Sequence, residues 1–399
     1  MKRYFGTVAR GLRSPIINEG DDLLKIIPGL LEAAVASGQL EYHDRDILAV
    51  TESILGRSQG NYASIYDIRD DIQKKFGPID RLGLVFPILS RNRFSILLKA
   101  ISLAVPEVVL LLSYPTDEVG NALFNPDLTY QHGNINPWQD VLTVEELHKE
   151  FGATHHPFTG IDYLELYQNI VEEAGAKCQI VLANNAEEIL NYTPNVLVCD
   201  IHNRANTRRR IEEAGVEKVF SLTEILSEPS DKHGYNPDYG LLGSNKADEE
   251  RVKLFPRDCQ DFVYRLAEIL CRQSGKQIEV MVYGDGAFKD PVGKIWELAD
   301  PVVSPGFTTG LKGKPNEVKI KYLADSTYNN LASTEQTAKI IDVIKHKHED
   351  LVGKEESEGT TPRQYTDLLG SLSDLVSGSG DKGTPFVYIQ GYFDSYADE

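Results

Sequence analysis

The segment NVLVCDIHNRANTRRRIEEAGVEKVFSL, Asn195 to Leu222, reads as strand, helix, strand. An apolar, β-branched run stops at a polar turn, a charged helical stretch closes on Gly215, and a second β-branched run follows. Strands joined through a helix lie parallel, with a right-handed crossover. The same rhythm precedes this segment. VVLLLSYP (Val108 to Pro115) and CQIVLANN (Cys178 to Asn185) are strand-like, and YLELYQNIVEEAG and AEEILNY are helical. A doubly wound α/β domain is therefore expected over residues 105–235, within the usual domain size range. The stretch EPSDKHGYNPDYG, Glu228 to Gly240, reads as its exit linker.

Upstream, GDDLLKIIPGLLEAAVASG (Gly20 to Gly38) is a helix with acidic residues in its opening turn. Pro28 predicts a kink there or a division into two pieces. Ile47 to Val50 is a short buried strand that runs into a polar, glycine-containing turn. Downstream, DCQDFVYRLAEILCRQSGK is an amphipathic helix with Phe262, Leu266, Ile269 and Leu270 on one face. It feeds the strand IEVMVYGDGAFKDP (Ile278 to Pro291), which ends on Asp285 between two glycines. From Ser326 to Arg363 a helix passes into a Glu-rich, exposed arm, and the glycine-rich SGSGDKGTP leads into a last strand.

The 399 residues are 41% hydrophobic and 25% charged, as expected of a packed globule, and suggest two or three domains. A formal net charge of −19 argues against nucleic acid as a partner, because that needs a basic face. A phosphate-bearing ligand must instead meet a local basic cluster or metal ions. The opening MKRYFGTVARGLRSP has no apolar core after its charges, so a secretory signal is not expected. The longest apolar runs are too short to span a bilayer. Four scattered cysteines without a C-x-x-C pair fit a reduced, cytoplasmic protein.

Two familiar phosphate-binding signatures, G-x-x-x-x-G-K-[ST] and a strand–G-x-G-x-x-G–helix unit, are missing. SGSGDKGTP can offer backbone N–H groups to an anion or serve as an ordinary turn. Asp285, at a strand end with Gly284 and Gly286 clearing space, either braces a turn or holds a divalent cation. Glu52, Ser53 and Arg57 follow another strand end, where Arg57 can fork a phosphate or lie solvated on the surface. Arg81, Arg91 and Arg93 form a basic patch for a polyanion or, equally, a helix entrance. His155, His156, Asp200 and His202 form a zinc site only if the fold gathers them, and a capping role is the plainer reading for Asp200.

Five segments in order resemble the coenzyme F-420 (deazaflavin) γ-glutamyl ligases. The family's GLPLI-x-x-GDDL is matched by RSPIINEGDDL, its S-T-x-x-S-K-A-E-G by TESILGRSQG, and its G-I-D-A-S-N by GLLGSN. Its strand ending T-D-T-N-G is matched by VMVYGDGAF, and its closing G-E-G-G-D-G-I-P by SGSGDKGTP. The resemblance covers residues 1–65 and 236–399. It implies a discontinuous α+β ligase core of residues 1–104 and 236–399, a homodimer, and GTP- or ATP-dependent transfer of L-glutamate onto a carboxylate-bearing acceptor. Carried over by position, Ser14, Pro15, Ile16, Ile17, Glu52, Ser53, Arg57, Asn245, Gly380 and Asp381 would contact the nucleotide. Asp285 would hold Mg²⁺ or Mn²⁺ and act in catalysis with Arg57. Where the family has a second metal-binding aspartate this chain has Leu242, and Gly286 stands for a threonine. Asp238 and Asp381 are the spare carboxylates that would complete the metal site.

Three functions follow from these residues. The first is a ligase for a deazaflavin- or folate-like acceptor, with Arg91 and Arg93 holding its acidic tail. The second is a non-catalytic nucleotide- or metabolite-binding member of the family. The third is an activity of the inserted domain itself around Asp200 and His202.

Overall fold

The computed structural model describes residues 4–131, 135–157, 159–216, 218–284, 287–289, 296–298, 304–360, 363–378 and 380–398. It divides into two compact units. One comprises Met1–Leu55, Asp258–Asp285 and Val303–Glu399, and the other Gly56–Arg257 and Gly286–Val302. The lines drawn from sequence at 104/105 and 235/236 both fall inside the second unit.

The first unit is built on a five-stranded sheet, in the order Val8–Leu12, Phe386–Gln390, Asp46–Thr51, Ile278–Tyr283, Gly306–Phe307. Asp46–Thr51 and Ile278–Tyr283 run parallel, and the other pairings are antiparallel. These two strands are buried almost throughout because both of their faces are covered. Leu48, Val50, Val280 and Val282 share a core with Leu23, Ile27 and Leu31 of one helix and with Val263 and Leu266 of another. Ile47, Ala49 and Met281 meet Leu369 on the opposite face.

The helix Cys259–Ser274 buries Phe262, Leu266 and Leu270 as its periodicity predicts, together with Val263 and Ala267. It ends at Gly275, whose φ of 67° allows its amide to close on Cys271. The helix Leu23–Ala36 contains Pro28 without dividing, so of the two expectations there the division into two pieces does not occur. The Pro28 carbonyl accepts from Gln273 Nε2 at 3.1 Å, and Asp22, ahead of the first turn, caps the Leu24 amide at 3.1 Å. The segment after Thr51, expected as a turn, forms the helix Glu52–Ser58. The expected arm after the helix Ser333–Lys345 is anchored where Leu351, only 2% exposed, donates its amide to Asn316.

The second unit holds a six-stranded sheet, in the order Leu142–Thr143, Lys177–Leu182, Glu107–Leu112, Arg81–Val85, Val196–Val198, Val219–Ser221. All neighbours are parallel except the short edge strand Leu142–Thr143. This is a doubly wound α/β arrangement. Its central strand, Arg81–Val85, is not among the runs that the sequence pattern marks. Gly83 in its middle is required, since a Cβ there would lie 2.5 Å from Ile189 Cγ1. Helices Ile65–Phe76 and Arg93–Ser102 cover one side of the sheet, the former started by a reciprocal Ser64–Asp67 cap. No helix among the described residues is long and apolar enough to cross a membrane.

Candidate functional site

In the first unit, Leu12, Phe386, Val50 and Val282 lie in one row across the sheet. The next residues leave the sheet at the same end: Ser14–Ile17 after the first strand, Glu52 and Ser53 after the second, Gly284 after the third. The loop 380–385 enters the last strand there. Ser14 donates its amide to the Gly383 carbonyl at 3.0 Å, and Thr51 donates to Pro385 at 3.2 Å. The register thus gathers four segments that the sequence scatters over the chain. Asp285, the residue expected to matter most, lies outside the described residues, as does Gly286. The strand that precedes it ends with Tyr283 opposite Thr51. Burial pushes the Tyr283 phenol up to about 12.

The individual side chains are not equally placed to meet a ligand. Ile17 is 2% exposed and packs in the core. Ile16 is 84% exposed, Pro15 is exposed, and the Ser14 hydroxyl donates to the Pro15 carbonyl at 2.7 Å. Glu52 is buried at the start of its helix, whereas Gly380 and Asp381 are exposed on their loop. Thr384, at the base of that loop, has a buried Oγ1 without a partner among the described residues. Its Cβ would sit 2.8 Å from a side chain at Gly11, so the first strand needs glycine at this point.

The other expected site residues belong to the second unit. Arg57 is exposed in the last turn of Glu52–Ser58, and Asn245 pairs opposite Lys253 in a three-stranded sheet with Tyr62–Ser64. Asp238 is exposed in a turn whose amides are held by Asn236 Oδ1. Leu242, where the family has a metal-binding aspartate, is 1% exposed and part of the hydrophobic core. Of the three carboxylates expected to hold metal, Asp285 lies outside the described residues. Asp381 and Asp238 belong to different units, and no group of three His, Cys, Asp or Glu among the described residues is placed to hold an ion.

Arg81 is committed to Glu107 at 2.9 Å and to the Tyr192 carbonyl at 3.1 Å, which removes it from the expected basic patch. Arg93 opens the helix Arg93–Ser102, and its amide donates to Ser90 Oγ at 2.8 Å. Arg93 thus stands at a helix entrance and also lines a cleft. The candidate zinc residues do not assemble either. His156 is buried, with its pKa lowered by that burial, and Asp200 receives the Thr207 hydroxyl at 2.6 Å. Burial lifts the Asp200 carboxyl to about 7 against the opposing Thr207 bond. Sequence reading missed Glu118, whose carboxylate accepts the amides of Ile201 at 2.6 Å, His202 at 3.1 Å and Asn203 at 3.0 Å. It thereby fills the start of the helix Arg204–Glu213.

A family model described as F420-0:gamma-glutamyl ligase matches residues 11–391, nearly the whole chain. No curated protein matches the chain. With the matched span running through both units, the chain belongs to this γ-glutamyl ligase family.

Proposed function

We propose that the chain is a nucleotide-dependent γ-glutamyl ligase that joins L-glutamate to a carboxylate on a deazaflavin- or folate-like acceptor. The observation that carries this reading is the convergence of Ser14–Ile17, Glu52–Ser53 and the 380–385 loop at one end of one sheet, inside a ligase family. The backbone of Ser14–Ile17 and the Gly380–Gly383 loop would enclose the nucleotide, with GTP expected ahead of ATP. Arg57 and Asn245 retain the polar character of the family positions they occupy. Arg91 and Arg93 are the proposed contacts for the acceptor's acidic tail.

In the proposed reaction an acceptor carboxylate oxygen attacks the γ-phosphorus. The bond from that phosphorus to the β-phosphate oxygen breaks, and the nucleoside diphosphate leaves. The glutamate nitrogen then attacks the acyl carbon, the carbon–oxygen bond to phosphate breaks, and the nitrogen gives up a proton as the amide forms. A divalent ion, with Asp285 as its leading ligand, would neutralise charge on the phosphates when bound. We further propose a cytoplasmic homodimer.

The second reading, a binding protein of the same family without catalysis, is favoured by the burial of Leu242. Calorimetric titration of GTP and of ATP, with and without Mn²⁺, separates the two. Metal-dependent GTP binding that Asp285→Asn abolishes is expected of the ligase. Binding indifferent to metal, with no amide product from any glutamylated acceptor, would leave the binding-protein reading in its place.

A further inference from the structure

The second unit's sheet is wound in both directions from Arg81–Val85. The next strand in sequence, Glu107–Leu112, lies on one side, and Val196–Val198 lies on the other. The loops 86–92 and 199–203 leave the carboxyl ends of these strands at the seam, where doubly wound sheets open a crevice for ligands. The crevice here is a small cleft of about 40 Å³. Ile88, Phe94, Leu97 and Leu241 wall it, and Arg93 and Ser244 line it.

Ser244 is 5% exposed, and its Oγ has no hydrogen-bond partner among the described residues. A buried hydroxyl left so is destabilising unless something outside the protein satisfies it. Close by, the ten-residue helix Arg93–Ser102 begins without a capping hydrogen bond from Asn92, whose Nδ2 is likewise buried and without a partner among the described residues. The neighbouring helix start, by contrast, is filled by Glu118. One of the two helix entrances at this seam carries the protein's own carboxylate. At the other, the Arg93 amide is taken by Ser90 Oγ and the remaining first-turn amides have no side-chain cap from Asn92.

We propose that this cleft is a ligand site for a small molecule with an anionic head, carboxylate or phosphate, and an apolar body. The head meets Arg93, the Ser244 hydroxyl and the first turn of the helix. The body lies against Ile88, Phe94, Leu97 and Leu241. Arg93 is also the contact proposed for the acceptor's acidic tail, so the cleft ligand and that tail are alternative occupants of this arginine. The cleft itself, with its apolar walls and Ser244, does not rest on the ligase reading.

The test is calorimetric titration of the full chain, without nucleotide, by benzoate, phenyl phosphate and the neutral benzamide. One of the two anions is expected to bind at least about tenfold more tightly than benzamide, and which one does so identifies the head group. Ser244→Ala is expected to weaken that anion by about tenfold while leaving the urea midpoint unchanged, because the hydroxyl has no internal bond to lose. Binding of neither anion, equal binding of benzamide, or unaltered binding to Ser244→Ala would each overturn the proposal.

Discussion

The amide of Ser14 and the carbonyl of Gly383 are joined by a 3.0 Å hydrogen bond, so the segment leaving the first strand is held by the loop entering the last. Gly383 has a φ of 62°, and a side chain there would meet no neighbouring atom within 4 Å. Its requirement for glycine is therefore one of backbone conformation. Gly383→Val should destabilise the protein by about 1–2 kcal/mol in urea titration, and it should lower nucleotide affinity about tenfold or more by displacing the loop. Gly383→Asn, which tolerates this conformation better, should fall between the two.

Leu242 stands at a position where an aspartate would suit the family's chemistry, yet the residue is 1% exposed. Leu242→Asp places a carboxylate among apolar side chains and removes packing. It should lower stability by about 3–5 kcal/mol in urea titration. A stability loss below about 1 kcal/mol would mean that the position tolerates a polar ligand after all.

The Asp200 carboxyl titrates near 7 in the folded chain because it is buried, against an ordinary value of 3.8. A raised value means that the folded state holds the proton more tightly. Its contribution to stability is full below pH 3.8 and is lost as pH rises through about 7. Asp200→Asn keeps an acceptor for Thr207 and abolishes this titration. The difference between wild-type and variant stability should therefore grow from pH 4 to pH 8, to at most ~4 kcal/mol in the variant's favour. A flat difference curve would show that the carboxyl is not desolvated.

Three amides converge on the Glu118 carboxylate. Glu118→Ala should cost about 1–3 kcal/mol and increase hydrogen exchange first at Ile201, His202 and Asn203. Uniform exchange across the second unit would instead indicate a global loss of stability.

How far these features could be read in advance depended on their chemistry. The strands Glu107–Leu112, Lys177–Leu182 and Val196–Val198 are apolar runs with polar borders, so parallel pairing followed from the helices between them. Arg81–Val85, RLGLV, has an arginine at its start and a glycine at its centre, and its five residues are too few for periodicity to speak. The need for Gly83 comes from Ile189, a neighbour that only the fold supplies. The helix runs on through Pro28 because the loss of one amide does not outweigh a buried face made by Leu23, Ile27 and Leu31. That the segments of Ser14, Glu52 and Asp381 meet at one end of the sheet was not legible locally, since no local pattern places them together. Glu118 and Ser244 gave no signal, because what defines each is a partner, or the lack of one, across the folded unit.

The two sheets also differ in when they can form during synthesis. Every strand of the six-stranded sheet lies between Arg81 and Ser221, so that sheet can close while the ribosome is still making the remainder. The five-stranded sheet inserts Phe386–Gln390 between Val8–Leu12 and Asp46–Thr51. Asp46–Thr51 can pair with Ile278–Tyr283 once that strand is made. Val8–Leu12, however, pairs with Phe386–Gln390 and must wait unpaired until that late strand emerges. During that interval it is the part of the sheet most in need of a chaperone.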